Sequence, residues 1–213
     1  MINRSVICKK NNQYGRSMVE MLGVLAIVGV LSVGGIAGYI KASHQLRTNQ
    51  LKDDLSHFIA NIRTTFFTQT NYSSMTVDNV IKSGIVPDHM LSTDKTKIIH
   101  RKYGSVLVGP ADIKNKEDGA FILVYNGLDA ATCRDLASEK WGSDVQTGFM
   151  GMAIYKDKEN GINIEESGLT GAEFETTENV FNSIDIPQAL IQQSYNSCHC
   201  TGVNTCSIAW KFM

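Results

Sequence analysis

The sequence predicts an α+β protein: a long N-terminal helix, half transmembrane and half amphipathic, packed on an antiparallel sheet. Three observations carry this prediction. Residues 21–40 run without a charge, and twenty helical residues span about 30 Å, the thickness of a bilayer's hydrocarbon core. From Leu51 onward, Leu51, Leu55, Phe58, Ile59, Ile62 and Phe66 recur at spacings of three and four, the period of a helix with one buried stripe. Beyond them, short strand-like runs alternate irregularly with short helical patterns, as in α+β rather than α/β folds.

Residues 1–15 contain Arg4, Lys9 and Lys10 and no acid. Basic residues before an apolar helix keep the N-terminus cytoplasmic and send the following chain outward. Twenty basic against twenty-one acidic residues leave a net charge of -1, which offers no general attraction for nucleic acid. Apolar residues make up 43% of the 213, enough for a packed domain plus an appendage. Of five cysteines, Cys8 lies in the basic leader. The other four (Cys133, Cys198, Cys200, Cys206) form an even set downstream of an export signal, which predicts two disulfides in an oxidising compartment.

The apolar segment admits three readings: a removable secretory signal with a weak small-residue site in residues 36–43, a simple anchor, or an assembly signal. The run GRSMVEML discriminates among them. Gly15 ends the basic leader and Glu20 follows five residues later, directly against the apolar run. A carboxylate costs about 2.5 kcal/mol or more at a membrane helix centre and less near its edge, so a partner for it is expected. The leader ending in Gly15, the placement of Glu20 and the helix behind them resemble the prepilin signal of type IV pilins and type II secretion pseudopilins.

That resemblance implies cleavage by a prepilin peptidase between Gly15 and Arg16, and N-methylation of Arg16. It gives Glu20 a registering role: its carboxylate neutralises the terminal amine of a neighbouring subunit, as buried charges require. The family usually has an apolar residue after the cut, where this chain has arginine. The implied domains are a leader over 1–15, a transmembrane and filament-core helix over 16–42, and a globular head over 43–213. Glycines at 23, 29, 34, 35 and 38 are read either as ordinary enrichment in a membrane helix or as close packing and local unwinding around Gly34, Gly35 and Gly38.

In the head, the first helix is expected to run from about residue 17 to 68, with Lys52, Asp53, Asp54 and Arg63 on its polar side. Thr76 caps a short helix through Val77, Val80 and Ile81, ended by Gly84 and Pro87. Strands are expected at residues 105–108, 120–125, 152–155 and 207–212. The second reads as central because it is apolar throughout. The last alternates Ile208, Trp210 and Phe212, as a half-buried strand does. Asp129 caps a helix over residues 128–141, closed by Gly142. The run from Val108 through Cys133 to Ala137 resembles the central region of type IVb pilins, as in the bundle-forming and toxin-coregulated pilins. There a strand leads into a helix whose cysteine closes the disulfide-bounded C-terminal region, and Cys133 takes that place here. Residues 156–185 have no clear counterpart.

Residues 198–206, CHCTGVNTC, pack three cysteines and His199 together. These are suitable zinc ligands, but the paired spacing of structural zinc sites is absent and an exported location is oxidising, so disulfides are expected in place of zinc. No metal and no cofactor are expected. Flanking Cβ atoms in extended chain do not converge, which disfavours a bridge between Cys198 and Cys200. Two connectivities remain: Cys133 with Cys200 and Cys198 with Cys206, or Cys133 with Cys198 and Cys200 with Cys206. The resemblance favours the first. His44, His57, His89 and His100 form no catalytic or metal signature and read as surface or helix-face residues, while residues 156–168 read as a solvated turn rather than a calcium loop. Nothing indicates an enzyme.

The expected function is a pilin: a structural subunit that polymerises with identical or related subunits, serving adhesion or aggregation. The precursor would lie in the inner membrane with its head in the periplasm before incorporation into an extracellular pilus. A secretion pseudopilin, or a membrane-anchored periplasmic binding or redox domain using the CHC cluster, is the alternative.

Overall fold

The computed structural model describes residues 18–100, 104–139, 141, 148–156, 161–174, 180–181, 188–200 and 205–213. The chain divides into two compact units, with the boundary between Gln45 and Leu46. Helix α1 (Met18–Phe66) contributes to both. In the first unit its residues 18–40 are exposed on every side. In the second unit Leu51, Leu55, Phe58, Ile59, Ile62 and Phe66 are buried, the stripe that the three-and-four spacing foretells.

Six strands form one antiparallel sheet: β1 (Ile98–Ile99), β2 (Ser105–Ile113), β3 (Lys116–Leu128), β4 (Phe149–Tyr155), β5 (Val180–Phe181) and β6 (Cys206–Phe212). Their order is β1-β2-β3-β6-β4-β5. The C-terminal strand therefore separates β3 from β4, and the sheet closes only when the last residues of the chain insert between them. Pro110 lies in β2 opposite Phe121, at a position where β1 pairs only with Ser105 and Val106. The other edge of β2 carries no strand there, so the missing N–H breaks no ladder.

Two irregularities keep large side chains on one face. Phe149 and Met152 are three residues apart and would point to opposite faces of a regular strand. A register shift between Phe149 and Gly151 places Phe149 opposite Phe212 and Met152 opposite Trp210, so both join the core. A second shift between Tyr125 and Leu128 does the same against β6. It uses Gly127 at φ +78, where a Cβ would meet the Gly104 backbone at 3.0 Å.

The resulting inner face presents Val106, Phe121, Leu123, Tyr125, Ile208, Trp210 and Phe212 to the buried stripe of α1. Trp210 is the centre of an aromatic group, edge-on to Tyr125 at 5.6 Å and to Trp141 at 5.5 Å. Tyr125 Oη and Trp210 Nε1 are buried without a hydrogen-bond partner among the described residues. Burial, and secondarily the Asp54 charge, push the Tyr125 phenol above its ordinary pKa.

The sheet's other face is covered too. Ile122, Val124, Ala153 and Ala209 form a second core with Ile162 and Leu169, the first of them within the stretch read as a solvated turn and the second directly after it. The segment over residues 161–174 is a strap pinned at several points. The Asn126 amide donates to Ile162 O and accepts from Ile162 N, as a neighbouring strand would. Tyr155 Oη donates to Ser167 O at 3.2 Å, and the Asp112 N–H donates to Thr170 O at 2.8 Å. Lys211 Nζ donates to Asp112 O and Gly171 O, both at 2.7 Å, and lies 5.2 Å from the Phe174 ring centroid. Burial lowers the Lys211 ammonium to about 8, opposed by the Asp112 carboxylate. Strand β6 is accordingly buried along its whole length, which corrects the half-buried expectation: Ser207, Ala209 and Lys211 face a covered surface, not water.

The expected helices form with shifted ends. Helix α2 (Val77–Lys82) is capped by Thr76, whose Oγ1 accepts the Asn79 N–H at 3.2 Å. Helix α3 (Ala130–Ala137) is capped by Asp129, whose Oδ1 accepts the Thr132 N–H at 2.8 Å. It stops at Ala137 rather than running on to Trp141, because the Trp141 indole turns back to donate to Leu136 O. Gly142 lies outside the described residues. Strands β1 and β5 and helix α4 (Gln188–Ser197) have no counterpart among the expected elements.

Candidate functional site

Two parts of the chain carry the functional expectations: the N-terminal half of α1 and the cysteine region. Gly15 and Arg16 lie outside the described residues, as does residue 17, the expected helix start. Glu20 occupies the first turn of α1, where the helix dipole favours a carboxylate by a few tenths of a kcal/mol whatever its partner. Behind it the helix is apolar all round and long enough to cross a membrane. The Ser32 hydroxyl in this stretch donates to Val28 O at 2.7 Å, so its polarity is absorbed within the helix. A Cβ placed on Gly23, Gly29, Gly34, Gly35 or Gly38 would meet nothing within 4 Å. Packing among the described residues therefore gives no reason for these glycines.

The cysteine region is assembled from three elements. Cys133 lies on the buried side of α3 and Cys198 directly follows α4. Arg134 stacks its guanidinium 5.3 Å above the Tyr195 ring and so joins the two helices. Cys206 opens β6. The bridges are Cys133–Cys198 and Cys200–Cys206, the second of the two connectivities and not the one favoured by resemblance. The reason is burial: Cys198 is fully buried beside Cys133, whereas Cys200, two residues on, is only partly buried and turns to the start of β6. The larger bridge encloses β4, the strap, β5 and α4, with a sequence separation of 65; the smaller spans 6. The Sγ atoms of Cys133, Cys198 and Cys206 all lie within 4.8 Å of one another. His199 is exposed.

Two charged residues depart from the surface roles expected of them. Asp54, placed by periodicity on the polar side of α1, is buried with its carboxylate 2.9 Å from His89 Nε2. His100 is buried, 2.6 Å from Asn126 O and stacked on Tyr125. Aspartate three residues after Leu51 falls within the buried arc of a helix, which is the signal that would have exposed the first. Lys52 pairs with Glu139 beside α3.

Comparison with known proteins places this architecture. No curated protein matches the chain. Among solved structures, the type IVb pilin of Salmonella typhi is similar at 14% identity and a TM-score of 0.48, over 73% of this chain and 93% of that one. TcpA, a type IV pilin of Vibrio cholerae El Tor biotype, is similar at 16% identity and a TM-score of 0.53, over 79% of this chain and 99% of that one. At such identity the second likeness establishes the fold: a long N-terminal helix on an antiparallel sheet, α+β. Residues 41–168, more than half of the chain, match the bundlin family. Pilins are structural proteins rather than enzymes, and this chain, a member of the bundlin family of bundle-forming pilins, is a subunit of a type IV pilus.

Proposed function

We propose that residues 16–42 are both the membrane anchor of the precursor and the filament core of the assembled pilus, with residues 1–15 removed by a prepilin peptidase between Gly15 and Arg16 and residues 43–213 forming the head. The observation that carries this reading is the apolar half of α1, which is exposed over residues 18–40 and carries a single carboxylate, Glu20, in its first turn. An all-apolar surface must be covered by lipid or by other helices. A carboxylate at its front edge is best accommodated opposite a cation. The amine of Arg16 in an adjoining subunit supplies one, and the Arg16 side chain adds a second positive charge in the same place. The precursor resides in the inner membrane with its head in the periplasm, and the filament is extracellular, where it serves adhesion or aggregation.

The experiment joins a mass measurement to a filament count. Mass spectrometry of protein taken from membranes should show loss of residues 1–15, with or without a methyl group on Arg16. An intact leader, or a cut near Ala42, overturns the proposal. Glu20→Val should leave the precursor inserted, cleaved and folded, because the change removes a desolvation cost. It should nevertheless leave few or no filaments, since an unpaired buried cation costs on the order of 3 kcal/mol per subunit. Filament yield equal to wild type would remove the registering role of Glu20.

A further inference from the structure

The two disulfides form one cluster. Cys133, Cys198 and Cys206 are each fully buried, and their Sγ atoms lie within 4.8 Å of one another although Cys206 belongs to a different bridge from the other two. Cys200 is the only member of the four with exposed surface. An external thiol therefore reaches the cluster at Cys200, and the sulfur it displaces is Cys206, already beside the inner bridge.

We propose that Cys206 is an internal nucleophile for thiol–disulfide exchange, and that the head interconverts its two bridge patterns when a thiol acts at Cys200. In the first step an external thiolate attacks Cys200 Sγ. The Cys200–Cys206 bond breaks, a mixed disulfide forms on Cys200, and Cys206 leaves as the thiolate. In the second step Cys206 Sγ attacks Cys198, forming Cys198–Cys206 and releasing Cys133 as the thiolate. In the third, Cys133 attacks the mixed disulfide at Cys200 and expels the external thiol unchanged. Each step exchanges one disulfide for one disulfide and one thiolate for another, so no oxidant or reductant is consumed. The product pattern, Cys133–Cys200 with Cys198–Cys206, is the connectivity that sequence resemblance favoured. A head oxidised into that pattern would be corrected by the same route run backwards.

The test uses the full-length chain in detergent micelles, carrying Cys8→Ser to silence the leader thiol. Cys200→Ser leaves Cys206 as the sole thiol, beside an intact inner bridge. After incubation at mildly alkaline pH, acid quench, alkylation and disulfide mapping by mass spectrometry, the alkyl label should appear on Cys133 or Cys198 as well as on Cys206, in about a tenth of molecules or more. Cys206→Ser leaves the thiol on Cys200, outside the sulfur trio and able to meet Cys133 only by the approach that the third step needs, so its label should remain mainly on Cys200. Label confined to Cys206 in the first variant, or equal scrambling in the second, overturns the proposal. Should Cys200→Ser fail to fold, the otherwise unaltered head treated with substoichiometric reduced glutathione answers the same question. A Cys198–Cys206 bridge is expected, and its absence refutes the exchange.

Discussion

One helix serves two surroundings. Residues 18–40 and residues 46–66 share the backbone of α1, yet in the first stretch Leu22, Leu25, Ile27 and Leu31 are more than half exposed, and in the second Leu55, Phe58 and Ile62 are completely buried. The difference lies in pattern, not in amount of apolar surface. The first stretch is apolar around its whole circumference and suits a uniform apolar medium. The second is apolar on one stripe and suits a sheet.

Paired substitutions in the two halves test this most sharply. Phe58→Ala should destabilise the head by about 3–5 kcal/mol, the usual loss for a buried phenylalanine, read from denaturant unfolding of the full chain by the fluorescence of Trp141 and Trp210. Ile27→Ala should leave the same transition within about 0.5 kcal/mol. Equal effects would mean that the first stretch has a partner inside the subunit.

The bridges come next. Replacing both Cys133 and Cys198 by alanine should cost about 4 kcal/mol in the chain-entropy account, and replacing both Cys200 and Cys206 about 2, because the closed loops differ tenfold in length. Calorimetry on the two double variants checks the ranking, and the reverse order would show that packing around the smaller bridge matters more than loop closure.

Lys211 gives an effect on the order of 2 kcal/mol. Its folded pKa of about 8 lies below the ordinary 10.5, so between those values the unfolded chain binds the extra proton. The desolvation cost is fully present below pH 8 and is relieved as pH rises toward 10.5. Head stability should accordingly climb over that window, and the climb should be flatter in Lys211→Met, measured by denaturant midpoints from pH 7 to 10.5.

The smallest effect on the isolated subunit concerns Gly38. Since a Cβ there meets nothing within 4 Å among the described residues, Gly38→Ala should leave head unfolding unaltered and favour the helix by about 1 kcal/mol. If neighbouring subunits approach at this glycine, filaments of the variant should dissociate at lower temperature than wild type; unchanged dissociation would return Gly38 to simple enrichment.

Local signals carried far in this chain. The three-and-four spacing from Leu51 to Phe66 and the Thr76 and Asp129 caps required nothing beyond neighbouring residues, because helical period and capping are local physics. What escaped was non-local. Strands β1 and β5 are two residues long, too short to show alternation, and exist because β2 and β4 offer them an edge. Helix α4 is the exception, since Pro187 immediately precedes Gln188 in the sequence and is a local start signal.

The apolar band of residues 21–40, the basic residues before it and the even set of cysteines after it were legible in the sequence alone, since helix length, charge and cysteine count belong to residues as they stand in the chain. Only the tertiary structure decided that Cys133 takes Cys198 and not Cys200, that Asp54 is buried against His89, and that β6 enters between β3 and β4 with Lys211 under a strap. Each of these depends on which distant segments meet. Residues 133 and 198, or 112 and 211, become neighbours only after the sheet has closed, and no periodicity along the chain encodes a contact made across it.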